Sequence, residues 1–135
     1  MVAPTKGRNG FYSKHSVAKK QIAWQLQPYF NHEQFKGAIW ADITFYRPIP
    51  KGTSSIRKQQ MLNGLIWPIG KPDRTNLLKF IEDCLEEAGI VSNDSIIVDG
   101  PVRKLYGLHP KTIIKLESMD KLYTRESYEA RFRKD

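Results

Sequence analysis

Between Arg74 and Gly89 the apolar residues recur at helical spacing. At about 100° per residue, Leu77, Leu78, Phe80, Ile81, Cys84, Leu85 and Ala88 fall on one arc roughly 160° wide, a stripe that predicts a helix facing a core. Thr75 or Asn76 is placed to cap its start, and Gly89 sits where a helix C-terminus favours positive φ. Gly37 to Arg47 follows the other period. Ile39, Ala41, Ile43 and Phe45 alternate with Trp40, Asp42, Thr44 and Tyr46, which predicts a strand ending at Pro48.

The remaining segments are read the same way. Val17, Ile22, Ala23, Trp24 and Leu26 suit a helix over Ser13 to Tyr29, stopped near Pro28. Residues 50–60 combine turn formers with basic side chains and predict an exposed loop, continuing into a short helix from Ile56 to Leu62. Leu65, Ile66, Trp67 and Ile69 predict a short strand leading to Asp73. After Gly89, the chain is expected to deliver Asp94 to the start of a buried β-branched strand, Ser95 to Val98. Ile96 to Arg103 and Thr112 to Glu117 then read as a β-hairpin joined through KLYGLHP, and residues 119–135 as a C-terminal helical extension. These elements suggest an α+β fold, a single two-layer domain over residues 1–135. Its sheet is expected to be mixed or largely antiparallel with helices packed on one face, and residues 1–12 to be flexible.

Composition narrows the function. The 135 residues include one cysteine, in the apolar helix stripe, so disulfide scaffolds and thiol nucleophiles are set aside. No apolar run spans a bilayer and residues 1–10 lack a signal-peptide core, so a cytoplasmic protein with no membrane partner is expected. No P-loop, dinucleotide-binding glycine motif or Cys/His zinc spacing is present, so no nucleotide cofactor is expected, and His15, His32 and His109 share no ligand pattern. The net charge of +8 is unevenly spread: residues 1–60 hold ten Lys or Arg against two Asp or Glu, residues 61–100 three against seven, residues 101–135 nine against five. An acidic middle within a basic chain suits a metal site surrounded by phosphate-binding cations.

That acidic middle also carries the candidate chemistry. Asn76, Lys79 and Asp83 lie within an arc of roughly 60° on the polar face of the predicted helix, whose N-terminal end favours phosphate. Asp73 before the helix and Asp94 after it are hard oxygen ligands suited to Mg²⁺, which takes one or two protein carboxylates, water and substrate phosphate. A plain structural reading competes with this one: Asp73 as a cap, and Lys79 with Asp83 as an ordinary i,i+4 pair.

The run from Lys71 to Asp94 resembles the RusA family of Holliday junction resolvases, whose pattern is roughly Lys-Pro-Asp-x-Asp-Asn-Leu-x-Lys, a helix with an Asp, then Asp-Asp-Ser/Ala. Asp73, Asn76, Lys79, Asp83 and Asp94 match at family spacing. Lys104, Tyr106 and Gly107 resemble its closing Lys-x-Tyr-Gly strand, and the likeness extends over roughly residues 37–118. The resemblance implies a homodimeric endodeoxyribonuclease from a bacterial cell or phage, with branched DNA as partner and Mg²⁺, or alternatively Mn²⁺, as cofactor. It implies Asp73, Asp94 and Asp83 as metal ligands and Lys79 and Asn76 as catalytic support. Lys14, Lys19, Lys20, Lys51, Arg57, Lys58, Lys71, Arg74 and Lys104 are the expected DNA contacts. Two positions depart: Thr75 replaces the family's second Asp, and Asn93 the first of its Asp-Asp pair. Of the nearby carboxylates, Glu82 lies roughly 100° around the helix from Asp83, toward solvent. The lost charge leaves a second function open, a branched-DNA-binding protein with weak or no cleavage.

Overall fold

The computed structural model describes residues 17–30, 33–122, 124, 126 and 127. The chain divides into two compact units, Met1–Lys36 with Lys79–Ile96, and Gly37–Leu78 with Ile97–Asp135.

The second unit is built on strand β1 (Ile39–Pro48). Its alternation works as the sequence indicates except at Thr44: Ile39, Ala41, Ile43 and Phe45 are buried and Trp40, Asp42 and Tyr46 half-buried, but Thr44, on the polar side, is buried too. β1 is paired on both edges. Along one edge it runs antiparallel to β4 (Lys111–Ser118); along the other it runs parallel to β2 (Ile97–Asp99) and then β3 (Val102–Gly107). The sheet is therefore mixed and the fold α+β.

The expected hairpin of the last two strands does not form. β3 and β4 are neighbours in sequence, yet both pair with β1 rather than with each other. The apolar face of β1 is the most continuous in the chain, and the central position lets it bury that face most completely, with Ile39 and Ile43 at 0 % exposure. Nor is the stretch from Ile96 to Arg103 one strand. Gly100 has φ +129°, and a Cβ there would stand 1.6 Å from the Ala41 carbonyl oxygen, so the backbones meet where only glycine fits. Pro101 has no N–H to give the ladder but its carbonyl accepts from Ile43 N at 3.0 Å. The expected buried strand over Ser95 to Val98 is instead a 3-10 turn, Asp94–Ile96, running into short β2, with Ile97 half-buried and Val98 exposed.

Helix α2 (Ser55–Leu62) starts on Ser54, whose Oγ accepts from Arg57 N at 3.3 Å. It ends at Asn63 and Gly64, the latter at φ +78°, after which Leu65 N returns to Gln60 O at 2.8 Å. The strand expected from Leu65 to Ile69 is absent. Leu65, Trp67 and Ile69 are exposed, and this segment has no strand to pair with. The chain then passes a cis Lys71–Pro72 peptide and enters α3 (Arg74–Glu87). At the C-terminal end, α4 (Met119–Leu122) follows β4 directly; the rest of the expected helical extension lies outside the described residues, apart from helical residues 126 and 127.

The first unit packs helix α1 (residues 17–26), continued by a 3-10 turn at Gln27–Tyr29, together with α3 from Lys79 onward. Residues 13–16 of the expected first helix lie outside the described residues. The buried side chains are Ala23, Ile81, Cys84, Leu85, Ala88, Ile90 and Val91, which include the C-terminal half of the predicted stripe; Leu77, Leu78 and Phe80 are half-buried. Gly89 closes α3 at φ +73°, its N–H on Glu86 O and that of Ile90 on Leu85 O, both at 3.0 Å. Gln27 Nε2 donates to Ala88 O at 3.1 Å. Phe35 then bridges to Val91, returning the chain alongside the segment that leads to Asp94.

Candidate metal and nucleic-acid site

Asp73 is the residue that starts α3. Its Oδ1 accepts from Asn76 N at 2.9 Å and its carbonyl from Leu77 N at 3.1 Å, so Asp73, not Thr75 or Asn76, is the cap. Capping occupies one carboxylate oxygen. Thr75 and Asn76 are exposed in the first turn, and Lys79 is exposed one turn further along. Two cations tie the chain on either side of Asp73 to β3. Lys104 Nζ donates to Gly70 O at 2.8 Å and to Pro72 O at 2.9 Å, and Arg74 Nη1 donates to Val102 O at 3.3 Å.

The other acidic residues belong to the first unit. Asp94 opens the 3-10 turn, its N–H donating to Glu86 Oε1 at 3.0 Å. Asn93 Oδ1 accepts from Ser95 N at 2.9 Å, a local turn bond that a neutral amide makes without adding charge. Asp83 Oδ2 pairs with Lys19 Nζ of α1 at 3.2 Å. Glu82 does not point away to solvent as expected: it is half-buried. Burial raises its pKa above the ordinary carboxylate value, the charges of Asp94 and Asp83 raise it further, and Lys79 works against them. Thus Glu82 interacts electrostatically with Asp94, while Asp83 is drawn to a lysine.

Cys84 belongs to the core. Burial pushes its thiol up to about 11, Lys19 opposing and Asp83 and Glu87 adding to the rise, so it is no thiolate nucleophile near neutral pH. Among the described residues no group of three or more His, Cys, Asp or Glu side chains already converges as a metal cage.

The expected DNA contacts fall into three sets. Lys20, Lys51, Arg57, Lys58 and Lys71 are exposed, Arg57 and Lys58 being carried on α2. Lys19, Arg74 and Lys104 have protein partners, namely Asp83, the Val102 carbonyl, and the Gly70 and Pro72 carbonyls. Lys14 lies outside the described residues, as do His15 and His32. The open side of β1 is crossed by Arg103, which bonds Asp42 Oδ1 and buried Thr44 Oγ1, both at 2.8 Å. Lys111 Nζ stands 5.5 Å from the Tyr46 ring centroid.

The family model of endodeoxyribonuclease RusA matches residues 3–117, more of the chain than the motifs alone delimit. The chain belongs to the RusA family. It is also similar to the uncharacterized protein YqaN of Bacillus subtilis (strain 168), 33% identical over 109 residues, which cover 79% of this chain and 76% of that protein. No solved structure matches significantly. Among the described residues no helix is long and apolar enough to cross a membrane. Within the RusA frame, the Lys-Pro-Asp turn, the first turn of α3 and the Lys-x-Tyr-Gly strand form connected parts of the second unit, since Lys104 joins the strand to the turn.

Proposed function

We propose that this RusA-family protein is a Mg²⁺-dependent, structure-selective endonuclease that cuts four-way or other branched DNA, working as a homodimer in a bacterial cell or phage-infected host. Two related sites are what symmetric cuts in a junction require. The observation that supports the metal most directly is the half-buried Glu82, whose carboxyl is disfavoured as an anion by its burial and by Asp94 and Asp83. Carboxylates that repel one another, though not converged as a cage, suit a divalent cation, which relieves the repulsion by binding. The donors fit a hard ion, being oxygens only.

In this reading Asp73 and Asp94 would hold the metal, and Glu82, in preference to the Lys19-paired Asp83, would supply the third carboxylate that Thr75 does not. A bound Mg²⁺ would lower the pKa of a coordinated water and neutralise phosphodiester charge. Lys79 stabilises negative charge on the attacked phosphate, and Asn76 orients the first turn of α3. Lys20, Lys51, Arg57, Lys58 and Lys71 hold the DNA backbone, supplying affinity that carries no base sequence. Mn²⁺ is the alternative ion, since it takes the same oxygen ligands.

A second reading rests on Thr75: a protein that binds branched DNA and no longer cuts it. Incubating the purified protein with a labelled four-way junction and a matched duplex, with and without Mg²⁺ or Mn²⁺, separates the two. Metal-dependent cutting of the junction and not the duplex supports the nuclease; tight junction binding with no cutting in either metal selects the second reading.

A further inference from the structure

Lys104 occupies an unusual position for a cation. In the parallel register Phe45 lies beside Lys104 and Ile43 beside Val102, so Val102, Lys104 and Tyr106 share the face on which β1 buries Ile43 and Phe45, while Arg103 and Leu105 share the other. A half-buried lysine leaving from an apolar face needs acceptors for its ammonium in place of the hydration it gives up. It finds two backbone carbonyls, Gly70 O at 2.8 Å and Pro72 O at 2.9 Å, on either side of Lys71. Arg74 ties the next residues to the same strand through Val102 O. The strand is itself fixed against β1. At Gly107, a Cβ would lie 2.9 Å from Tyr46 Cβ, so the closing glycine of the motif lets β3 sit tightly against the central strand.

Between these ties stands Asp73, whose Oδ1 is held by the Asn76 N–H. Its backbone is thus fixed on both sides, by Lys104 through Pro72 and by the helix it caps. We propose that Lys104 is a positioning residue: its ammonium clamps the 70–72 turn onto β3 and so sets the place of the Asp73 carboxylate, instead of contacting DNA phosphate. The proposal rests on Asp73 being a ligand in the nuclease reading, and it assigns the lysine of the Lys-x-Tyr-Gly strand a role distinct from the exposed cations. Arginine at this position keeps charge and several donors; methionine keeps the apolar stem and removes every donor.

The test compares wild type, Lys104→Met, Lys104→Arg and, as a control cation on β4, Lys115→Met. For each, junction cleavage rate at saturating DNA, junction Kd against salt, the Mg²⁺ concentration giving half-maximal cleavage, and amide exchange at Asn76 are measured. A positioning role predicts a rate about a hundredfold lower for Lys104→Met, a raised Mg²⁺ requirement, a Kd within about twofold of wild type, and an unchanged salt slope. Asn76 exchange should quicken about tenfold or more, because the carboxylate that bonds it is no longer held. Lys104→Arg should recover most of the rate, and Lys115→Met should match wild type throughout.

A weaker Kd with a salt slope reduced by about one, and Asn76 exchange unchanged, would make Lys104 a phosphate contact and overturn the proposal. If wild type cuts no DNA in either metal, the nuclease reading fails, and Asn76 exchange still decides the clamp: faster in Lys104→Met supports it, unchanged refutes it. Should Lys104→Met melt below the assay temperature, Lys104→Gln, a shorter neutral donor, is read by the same criteria.

Discussion

Glu82 links the stability of the fold to the proposed metal binding. Its carboxyl has a raised pKa in the folded protein, so ionising it costs folding free energy. The sign follows directly. Below the ordinary carboxylate range Glu82 is protonated in folded and unfolded chains alike, and it contributes no penalty. As pH rises the unfolded chain ionises first, and the penalty is complete once pH exceeds the raised folded value. Glu82→Gln should therefore raise Tm at neutral pH in chelator, with the gain shrinking toward zero in acid. Added Mg²⁺ should raise the Tm of wild type more than that of the variant, because ion binding relieves the same repulsion. A neutral-pH Tm equal to or below wild type would contradict the carboxylate crowding. Thr75 gives the matching forecast. Thr75 is exposed in the first turn of α3, where an acidic side chain suits the helix dipole, so Thr75→Asp should fold normally. Under the proposed function, with Glu82 as the third carboxylate, the Mg²⁺ midpoint of cleavage should move little in Thr75→Asp and rise clearly in Glu82→Gln; a large fall in the midpoint for Thr75→Asp would show that the acid at position 75 was the missing ligand.

Among the elements, the central helix and β1 were legible in the sequence because each buries one uninterrupted face with its own period. Arg74–Glu87 and Ile39–Pro48 match the apolar patterns within a residue or two. What the sequence hid depends on partners far along the chain. The β3 and β4 segments carry a turn signal at Gly107 and Pro110, and local rules read that as a hairpin; only the competition for β1 reveals that the central strand lies between them. Likewise Lys104 finds main-chain acceptors that leave no side-chain signature, whereas the cap at Asp73 is one of the two readings the sequence offered for that residue. The alternation of Val102, Lys104 and Tyr106 did hold a signal, since it sets a lysine on the apolar side. Glu82 was misread because helical angle alone does not tell which polar face is covered. The backbone contact at Gly100 can be tested directly. Gly100→Ala would place a methyl group 1.6 Å from Ala41 O at φ +129°, so the β2–β3 edge must detach or shift. A loss of about 4 kcal/mol or more in unfolding free energy is expected, measured by denaturant titration; a loss under about 1 kcal/mol would mean that the edge adjusts freely.

On the scale of the whole molecule, the proposed function divides between exposed cations that would hold DNA and an acidic stretch that would cut it. The described exposed cations at positions 20, 51, 57, 58 and 71 number five, so if all reach phosphates, log Kd should rise with log salt at a slope of roughly 4 to 5. A slope below about 1 would remove these residues from the DNA interface. In the proposed function the acidic stretch within this basic chain carries the chemistry, and Asp94 is its most informative member. Asp94→Asn keeps size and a similar hydrogen-bonding shape while removing one negative charge and a proposed metal ligand. The most direct test of the proposed activity is therefore a paired measurement of Mg²⁺-dependent four-way-junction cleavage and junction affinity for wild type and Asp94→Asn. Cleavage should fall about a hundredfold or more, with affinity unchanged or slightly tighter because a repulsive charge is gone. Wild-type cleavage by Asp94→Asn would contradict the metal assignment outright.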